Sequence, residues 1–519
     1  MSVQSRPETA AVTHAEARFP RDFVWGMATA SYQIDGAVAE DGRTPSIWDT
    51  FSRVPGAILG GDTGEVACDH YHRMPADVGL LADLGATSYR FSVAWPRVRP
   101  DAGPVNPAGL AFYDRLVDEL LSHGIAPWLT LYHWDLPQVL EDAGGWTNRD
   151  TAHRFVDYAT SVYDALGDRV PTWTTLNEPF CSSLIGYAAG HHAPGRQEGP
   201  AGLVAAHHLL LAHGMATEAL RSRGDDVRFG LSLNLTVPDP SDPSDPVDVD
   251  AARRIDALHN RLFLDPVFRG SYPADLLEDT AHLQWQGQSW YDVVRDGDLA
   301  TISTPIDVLG VNYYHGNEVS GHPRTDVVGI GADHPDRVSL SPFVGSEHVT
   351  FPSRGLPVTD MGWEIQPEGL HRLLRRLHDD YPHLPIYLTE TGAAFADRPD
   401  ADGVVHDPDR IAFLDSYLRA VHRAIEEGVD VRGFFQWSFC DNFEWAFGYA
   451  KRFGLVYVDY ETQERIPKSS ARWYADVART GVVTWGVGGL VGVAFAPAEL
   501  DGHYGRRPTS FMLFVQGRV

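Results

Sequence analysis

The sequence predicts an α/β protein, a single (β/α)8 barrel with long loops after its strands. Three observations support this prediction: short apolar runs recur along the chain, amphipathic helices follow most of them, and the apolar character within each run is continuous. Continuous apolar runs are typical of parallel strands that are buried on both faces. Strands that alternate with helices indicate βα units, and eight such units indicate a closed barrel.

The eight candidate strands are rich in apolar, β-branched and aromatic residues, and they end in polar or aromatic residues. They are residues 23–29, 88–93, 127–132, 173–176, 228–235, 308–312, 385–389 and 433–437. A chain of 519 residues suggests several domains by length alone. Barrels with long insertions nevertheless reach this size as one unit, which is the organisation we predict.

Two of the intervening helices have a clear apolar face. The first is predicted before Gly124, from residues Leu110, Tyr113, Leu116, Val117, Leu120 and Leu121. The second is predicted before Gly428, from Ile411, Leu414, Leu418, Val421 and Ile425. Asp407 is the expected N-cap of the second helix and Pro408 its first residue, because these residue types favour helix starts.

Some segments break the alternation of strands and helices. Residues 237–249 (VPDPSDPSDPVDV) predict an exposed loop after the fifth strand, since Pro, Asp and Ser cluster there. Residues 316–357 predict a long excursion after the sixth strand that shapes the substrate mouth. We expect residues 1–18 to form a polar, flexible N-terminal extension, residues 19–480 to form the barrel, and residues 481–519 to form a C-terminal extension of unknown role.

Composition excludes several classes of partner. The net charge is −28, from 42 basic and 70 acidic side chains, and this excess repels nucleic acids and anionic lipids. No apolar stretch is long enough to cross a bilayer, and no secretory signal precedes the barrel, so we expect a cytoplasmic protein. The three cysteines, Cys68, Cys181 and Cys440, suggest neither a disulfide framework nor a metal knuckle, and we expect buried packing for Cys181 and Cys440.

Polar and aromatic residues lie at or just after the end of every candidate strand except the fifth, where a barrel carries its catalytic groups. They are Gln33, Arg90, His133, Trp134, Asn177, Glu178, Asn312, Tyr314, Glu390, Trp437 and Glu444. They contain no zinc-type ligand set, and the adjacent histidines 191–192 and 207–208 point in different directions, so we expect no metal and no cofactor. Amides and carboxylates suit sugar hydroxyls and tryptophans suit sugar rings, which indicates a carbohydrate site.

Two glutamates are placed to cleave a glycosidic bond. Glu178 lies in Thr-Leu-Asn-Glu-Pro and Glu390 in Leu-Thr-Glu-Thr-Gly, and both would project into one mouth from the fourth and seventh strands. Such cleavage needs a proton for the leaving oxygen and a second carboxylate near the anomeric carbon. Two buried carboxyls that lie close together can share one proton at neutral pH. On these residues alone, structural ion pairs remain the alternative.

Seven motifs resemble, in order, those of glycoside hydrolase family 1, the β-glucosidase family. They are FVWGMATASYQIDG (23–36), YRFSVAWPR (89–97), YHWDLP (132–137), TLNEP (175–179), VNYY (311–314), TETG (389–392) and WSFCDNFEW (437–445). The resemblance extends from about Phe19 to Thr480. Three positions depart from the usual pattern: Asp35 replaces Glu, Thr391 replaces Asn, and Phe447 replaces an acidic residue near the aglycone.

The resemblance implies a retaining β-glucosidase that acts on small β-glucosides or oligosaccharides, with tolerance for β-galactosides and β-fucosides and a place in cellulose degradation. It implies that Glu390 is the nucleophile, that Glu178 is the acid/base, and that Arg90 and Tyr314 orient Glu390. The implied substrate-binding residues are Gln33, His133, Trp134, Asn177, Asn312, Tyr314, Trp437, Glu444, Trp445 and Phe453.

Three alternatives to a hydrolase remain at this stage. A transglycosylating β-glycosidase would use the same two glutamates with a sugar as the acceptor. A non-catalytic sugar-binding barrel would be expected to have lost one of them, and both are present. A metal-dependent barrel hydrolase would need ligands that the strand ends lack. The sequence makes no prediction of the oligomeric state or of the natural aglycone.

Overall fold

A computed structural model describes residues 16–224, 226–324 and 340–484 of the chain. Its centre is a closed barrel of eight parallel strands, so the predicted fold is confirmed. The barrel strands are β1 (Val24–Ala28), β2 (Ser88–Ser92), β3 (Ala126–Tyr132), β4 (Thr172–Asn177), β5 (Arg228–Asn234), β6 (Val308–Asn312), β7 (Ile386–Thr391) and β8 (Val431–Trp437). Each strand pairs with the next one along the chain, and β8 pairs with β1, which closes the sheet.

One long helix follows each strand and covers the outside of the barrel. The helices are α1 (His70–Asp83), α2 (Pro107–Ser122), α3 (Asp150–Leu166), α4 (Ala201–Arg221), α5 (Pro246–Asp256), α6 (Pro367–Asp380), α7 (Pro408–Glu426) and α8 (Ser469–Thr480). In α7 the apolar side chains Leu414, Leu418 and Val421 are fully buried. Burial of each such side chain contributes roughly 1.5–3 kcal/mol, which is why an amphipathic pattern decides where a helix docks.

Short elements fill the loops at the two ends of the barrel. The short helices are Ser31–Ile34, Ile47–Phe51, Leu59–Gly61, Trp95–Val98, Pro100–Ala102, Gln138–Asp142, Gly145–Thr147, Cys181–Ala189, Ala257–Arg261, Leu262–Arg269, Ala274–Thr280, Trp290–Val293, Asp298–Ile302 and Trp445–Phe447. The short strands are Ala17–Arg18, Pro238–Pro240, Gln284–Trp285, Gln288–Ser289, Asn317–Val319, Val456–Val458, Arg465–Pro467 and Val482–Val483. Most of the short helices lie in βα loops, which a barrel uses to build its functional face.

The lower half of the barrel interior is an aromatic core. The ring of Trp128 meets Tyr387 edge-on at 4.9 Å and Phe435 at 5.1 Å between centroids. Each such pair adds about 0.5–1.5 kcal/mol to the burial of its area. The upper half carries polar side chains, including Arg90, Asn177 and Asn312, all fully buried. The core therefore stabilises the lower barrel and leaves the upper barrel for chemistry.

The predicted loop over residues 237–249 is partly wrong. Pro238–Pro240 pairs with Asn317–Val319, and α5 begins at Pro246. The Asp245 carboxylate accepts a hydrogen bond from the Val247 amide at 2.9 Å and caps this helix. An Asp followed by Pro is therefore a helix start here, because Pro at the first helical position lacks an amide that would need a partner.

Three smaller predictions about helices and strands also need correction. Asp407 occupies the N-cap position of α7, but its carboxylate binds Arg410 (2.5 Å) and the Ser470 amide (2.8 Å) instead of the helix end. Leu121, assigned to the apolar face of α2, is 42% exposed. Strand β7 continues through Glu390 to Thr391, so Glu390 lies within the strand and not after it.

The inner ends of the two predicted extensions meet. Ala17 pairs with Val483 and Arg18 with Val482 in a two-stranded antiparallel sheet. The other parts of these extensions, residues 1–15 and 485–519, and residues 325–339 of the predicted excursion lie outside the described residues. Within the described ranges, we find no helix with both the length and the apolar character needed to span a membrane.

Candidate active site

A deep cleft opens at the carboxyl ends of the barrel strands, with an empty volume of about 1100 Å³. Many of the residues predicted from the strand ends line it. These are His133, Trp134, Glu178, Asn312, Tyr314, Glu390, Trp437, Glu444, Trp445 and Phe453. The cleft therefore brings together groups from strands that are more than 300 residues apart in the chain.

The other three predicted site residues, Gln33, Arg90 and Asn177, are fully buried and contact the lining residues or their neighbours. Arg90 donates to Glu390 Oε1 at 2.7 Å and to Asn177 Oδ1 at 2.6 Å. Gln33 donates to Asn442 Oδ1 at 2.9 Å and to the Phe443 carbonyl at 2.8 Å. Gln33 thus holds the segment that leads to Glu444.

Glu390 is placed as a charged group. Its Oε1 accepts from Arg90 (2.7 Å) and its Oε2 accepts from the Tyr314 hydroxyl at 2.8 Å. Burial raises the pKa of Glu390 above its ordinary value, and the Arg90 charge and the Tyr314 hydrogen bond oppose this effect. Hydrogen bonds and a cation that contact both oxygens favour the ionised form.

Glu178 lies in a different environment, although it is also buried. Its Oε1 accepts from Asn312 Nδ2 at 2.7 Å, and its Oε2 lies 3.2 Å from the thiol of Cys181. Burial and then the charge of Glu390 raise the pKa of Glu178 to about 8. At neutral pH Glu178 therefore keeps its proton while Glu390, paired with Arg90, is the carboxylate.

Glu444 is the third carboxyl of the cleft. Burial and the charges of Glu390 and Glu178 raise its pKa to about 8. Among these acids, Glu390 is the one that forms an ion pair with Arg90. A low-dielectric cleft with one guanidinium stabilises one carboxylate well, and the other two carboxyls hold protons to avoid repulsion.

Several buried polar atoms of the site have no hydrogen-bond partner among the described residues. They include Gln33 Oε1, His133 Nδ1 and Glu444 Oε2. Burial and the charge of Arg90 hold the pKa of His133 well below its ordinary value, so its ring is neutral. Because His133 Nε2 faces the Asn177 amide nitrogen at 3.0 Å and must accept, Nδ1 carries the hydrogen. A buried donor or acceptor without a partner costs free energy, so these atoms are suited to bind a ligand rich in hydroxyls.

Aromatic rings form the sides of the cleft. Trp134 and Trp445 pack with their centroids 4.4 Å apart, and His133 stacks on Trp437 at 5.9 Å. The Trp134 indole donates to the Asn177 carbonyl at 2.9 Å, which fixes its ring. Aromatic faces beside hydrogen-bonding groups match the alternation of apolar ring faces and polar edges in a sugar.

Three residues of the cleft have a strained backbone conformation. Trp134, Glu178 and Trp445 have φ angles of 77°, 48° and 50°, in the left-handed region that non-glycine residues rarely adopt. Such a conformation costs about 1–2 kcal/mol for each residue. Residues held this way by the surrounding structure are typical of functional sites, because the strain fixes where the side chain points.

The structure corrects the prediction that the fifth strand contributes nothing. Asn234, at the end of β5, lines the cleft together with Cys181 and His259. The sequence signal for Asn234 was present, because its polar side chain ends an apolar strand. Cys181 follows Glu178 by three residues, and its side chain contacts that carboxyl instead of only packing. Nothing local marked His259, which comes from the segment after α5.

The three departures from the family pattern have different surroundings. Asp35 is buried, and its carboxylate lies 3.4 Å from the Tyr113 hydroxyl. Thr391 donates to the Glu390 carbonyl at 2.8 Å, so it contacts the backbone of that residue. Phe447 lines the cleft and gives it an apolar surface. Across the described ranges, no three His, Cys, Asp or Glu side chains are placed to hold a metal ion.

Comparison with known proteins gives consistent matches. The family model for glycosyl hydrolase family 1 matches residues 15–482. The chain is 51% identical over 466 residues to a bifunctional β-D-glucosidase/β-D-fucosidase of Bifidobacterium breve, which covers 88% of this chain and 97% of that protein. It is 51% identical over 463 residues to thermostable β-glucosidase B of Thermobispora bispora, covering 89% and 90% of the two chains. A solved structure of a psychrophilic β-glucosidase from Micrococcus antarcticus matches with a TM-score of 0.85 and 56% identity, over 89% of this chain and 98% of that one.

Proposed function

Because this chain belongs to glycosyl hydrolase family 1, we propose that it is a retaining β-glucosidase that releases terminal, non-reducing β-D-glucosyl residues. One observation carries the proposal: two buried carboxyls line the same cleft and have different partners. Glu390 is paired with Arg90 and Tyr314, whereas the pKa of Glu178 is raised to about 8. A bare carboxylate and a protonated carboxyl are the two groups that glycoside cleavage requires.

The first step forms a glycosyl-enzyme. Glu390 attacks the anomeric carbon with one carboxylate oxygen, and the bond from that carbon to the leaving oxygen breaks. Glu178 gives its proton to the leaving oxygen, so the aglycone departs as a neutral alcohol. The Arg90 and Tyr314 contacts keep Glu390 ionised and oriented for the attack.

The second step returns the enzyme to its starting state. Glu178 is now a carboxylate and takes a proton from a water molecule, whose oxygen attacks the anomeric carbon. The bond to Glu390 breaks, and the sugar leaves with the configuration that it had in the substrate. The proton that Glu178 gains here replaces the one that it lost.

We assign glucose recognition to the unpaired polar atoms of the cleft. His133 Nδ1 is a donor, and Gln33 Oε1 and Glu444 Oε2 are available to hydroxyls. Asn177 and Asn312 add amide groups, with Asn312 Nδ2 lying between Asn177 Oδ1 (3.1 Å) and Glu178 Oε1. Trp437 provides an aromatic surface under the ring, and Trp134, Trp445 and Phe453 complete the walls.

The natural substrates that we propose are small β-glucosides and oligosaccharides, including those released from cellulose. The relative from B. breve is named as a β-D-fucosidase as well, which supports tolerance for β-fucosides and, by the same reasoning, for β-galactosides. A cytoplasmic location fits the three free cysteines, all buried, because unpaired thiols are usual in reducing compartments.

The test uses substitutions of the two glutamates. Glu390→Gly is expected to lose cleavage of 4-nitrophenyl β-glucoside by about 10⁴-fold or more, since the covalent step then has no nucleophile. Glu178→Ala is expected to lose far more activity on cellobiose than on a dinitrophenyl glucoside, because a good leaving group needs no proton. Azide should restore turnover of Glu178→Ala and yield the β-glucosyl azide.

The exposed residue Glu278 provides the control, and Glu278→Ala should retain wild-type rates. The first product anomer, followed by NMR, should be β-glucose. Wild-type activity of Glu178→Ala on cellobiose, or α-glucose as the first product, would contradict the proposal.

A further inference from the structure

The two carboxyl oxygens of Glu178 have different partners, which decides where its proton sits. Oε1 accepts from the Asn312 side-chain nitrogen at 2.7 Å, and an amide nitrogen can only donate. A proton on Oε1 would therefore compete with the short Asn312 hydrogen bond for the same oxygen. The donor at Oε2 is a thiol, which is a much weaker donor than an amide, so the acid proton of Glu178 is placed on Oε2.

Oε2 lies beside the thiol of Cys181, at 3.2 Å from its sulfur. Cys181 begins the π-helix Cys181–Ala189, and its amide donates to the Glu178 carbonyl at 2.9 Å. This tight turn returns the side chain at 181 to the carboxyl at 178. Burial and the charge of Glu178 raise the pKa of the Cys181 thiol well above its ordinary value, so the group keeps its hydrogen.

A second side chain decides where the thiol hydrogen points. The Asn234 amide nitrogen donates to Cys181 Sγ at 3.6 Å and lies 3.3 Å from His259 Nε2. With one lone pair of sulfur occupied by Asn234, the S–H bond is directed at Oε2. The ring of His259 stacks on Phe180 with centroids 4.0 Å apart, which holds Asn234 from its other side.

We propose that Cys181, oriented by Asn234, is a positioning residue that directs the acid proton of Glu178 into the cleft. Since the thiol donates to Oε2, the hydroxyl of the protonated carboxyl is repelled from sulfur and points toward the leaving oxygen. When Glu178 is ionised, the same thiol hydrogen stabilises its charge. This inference rests on the proposed role of Glu178 as the acid/base.

The test measures how proton donation changes when the thiol is removed. For Cys181→Ala we expect kcat/KM on cellobiose to fall about tenfold and kcat/KM on a dinitrophenyl glucoside to change by less than about twofold. The alkaline pKa of the kcat/KM profile should rise by about half a unit, because a hydrogen bond to the charged form is lost. Cys181→Ser keeps a donor and should recover most of both effects.

Ser183→Ala is the matched control, since this hydroxyl lies in the same helix but donates to the Pro179 carbonyl at 2.5 Å. It should leave the pH profile and the leaving-group dependence unchanged. Cys181→Val removes the donor without leaving a cavity, and it replaces Cys181→Ala if thermal melting shows that the alanine variant is unfolded. An alkaline pKa that stays unchanged or falls in the folded variant overturns the proposal.

The Asn234 part of the proposal is tested by a double-mutant cycle. Asn234→Ala should reduce kcat/KM on cellobiose a few-fold in the wild-type background and have little further effect in Cys181→Ala, because it acts through sulfur. Equal effects in both backgrounds would refute that route. A wild-type enzyme that cleaves no β-glucoside would refute the proposed function itself, whereas an active enzyme with unshifted Cys181 variants refutes only this inference.

Discussion

Replacing Glu178 with Gln should make the protein more stable at neutral and alkaline pH while it removes the proposed acid/base. Glu178 is 5% exposed, and burial and the charge of Glu390 raise the pKa of its carboxyl to about 8. A glutamate in an unfolded chain has a pKa of about 4.3. Between these two values the folded chain holds a proton that the unfolded chain has lost.

The sign and the size of the effect follow from this difference in protons. Where the folded state binds more protons, the free energy of unfolding falls as pH rises, by about 1.4 kcal/mol per pH unit for one group. The full range from about 4.3 to about 8 sets an upper bound of roughly 5 kcal/mol. The glutamine side chain of the variant cannot ionise and can still accept from Asn312, so we expect a gain of roughly 2–5 kcal/mol at pH 9 and little gain at pH 4.

The measurement is urea unfolding of wild type and Glu178→Gln at several values between pH 4 and pH 9. The difference between the two free energies of unfolding should grow with pH and level off above about pH 8. Glu278→Gln, a substitution at an exposed position, should follow the wild-type curve. Parallel curves for wild type and Glu178→Gln would show that Glu178 holds no extra proton in the folded state, and the assignment of the acid would fail.

Three further predictions concern other parts of the molecule. Activity toward cellobiose should decline above about pH 8, since Glu178 must be protonated to donate. If Glu178→Ala shows the same decline on a dinitrophenyl glucoside, the decline belongs to another group. Tyr314→Phe should lower kcat/KM about 10- to 100-fold, because a hydrogen bond to the charged Glu390 is lost. The control is Tyr313→Phe, since the Tyr313 hydroxyl faces the Gln366 carbonyl. Equal losses in the two variants would count against the role given to Tyr314. Lys468→Met should reduce the free energy of unfolding by roughly 3–5 kcal/mol, since this fully buried amine pairs with Asp397 at 2.6 Å and Asp441 at 2.7 Å. The control is Lys451→Met, at the other of the two lysines in the sequence. The Lys451–Asp360 pair (3.2 Å) is partly exposed, so this change should reduce the free energy of unfolding by less than about 1 kcal/mol. Similar reductions for both variants would contradict the role given to the buried network.

Much of the fold was predictable because its signals are local. A strand buried on both faces needs a continuous apolar run, and the runs at residues 88–93 and 308–312 match β2 and β6 closely. Less regular signals are weaker guides, because a single polar side chain has more than one possible partner. Asp407 precedes a helix but binds Arg410 and Ser470, and Asp245 caps a helix within a segment that looked like a loop.

The residues of the site also divide into those with a local sequence signal and those without one. Glu178 and Glu390 could be predicted because each is a polar residue at the end of an apolar run. The prediction that Arg90 also lies at a strand end is wrong, since Arg90 is the central residue of β2 and its side chain reaches Glu390 from there. Cys181 and His259 could not be assigned to the site, because their roles depend on contacts with Glu178 and Asn234 that exist only after the barrel closes. Asn234 ends β5 and lines the cleft, although no polar contribution is predicted from that strand.

The sequence by itself determined the barrel and the family and predicted the pair of glutamates, since these depend on residue type and order along the chain. Only the tertiary structure decided which carboxyl keeps the proton. Both glutamates follow short apolar strands, and the difference comes from other strands: Arg90 and Tyr314 contact Glu390, while Asn312 and Cys181 contact Glu178. A pKa depends on the charges and donors that surround a group in space, and chain folding sets that arrangement.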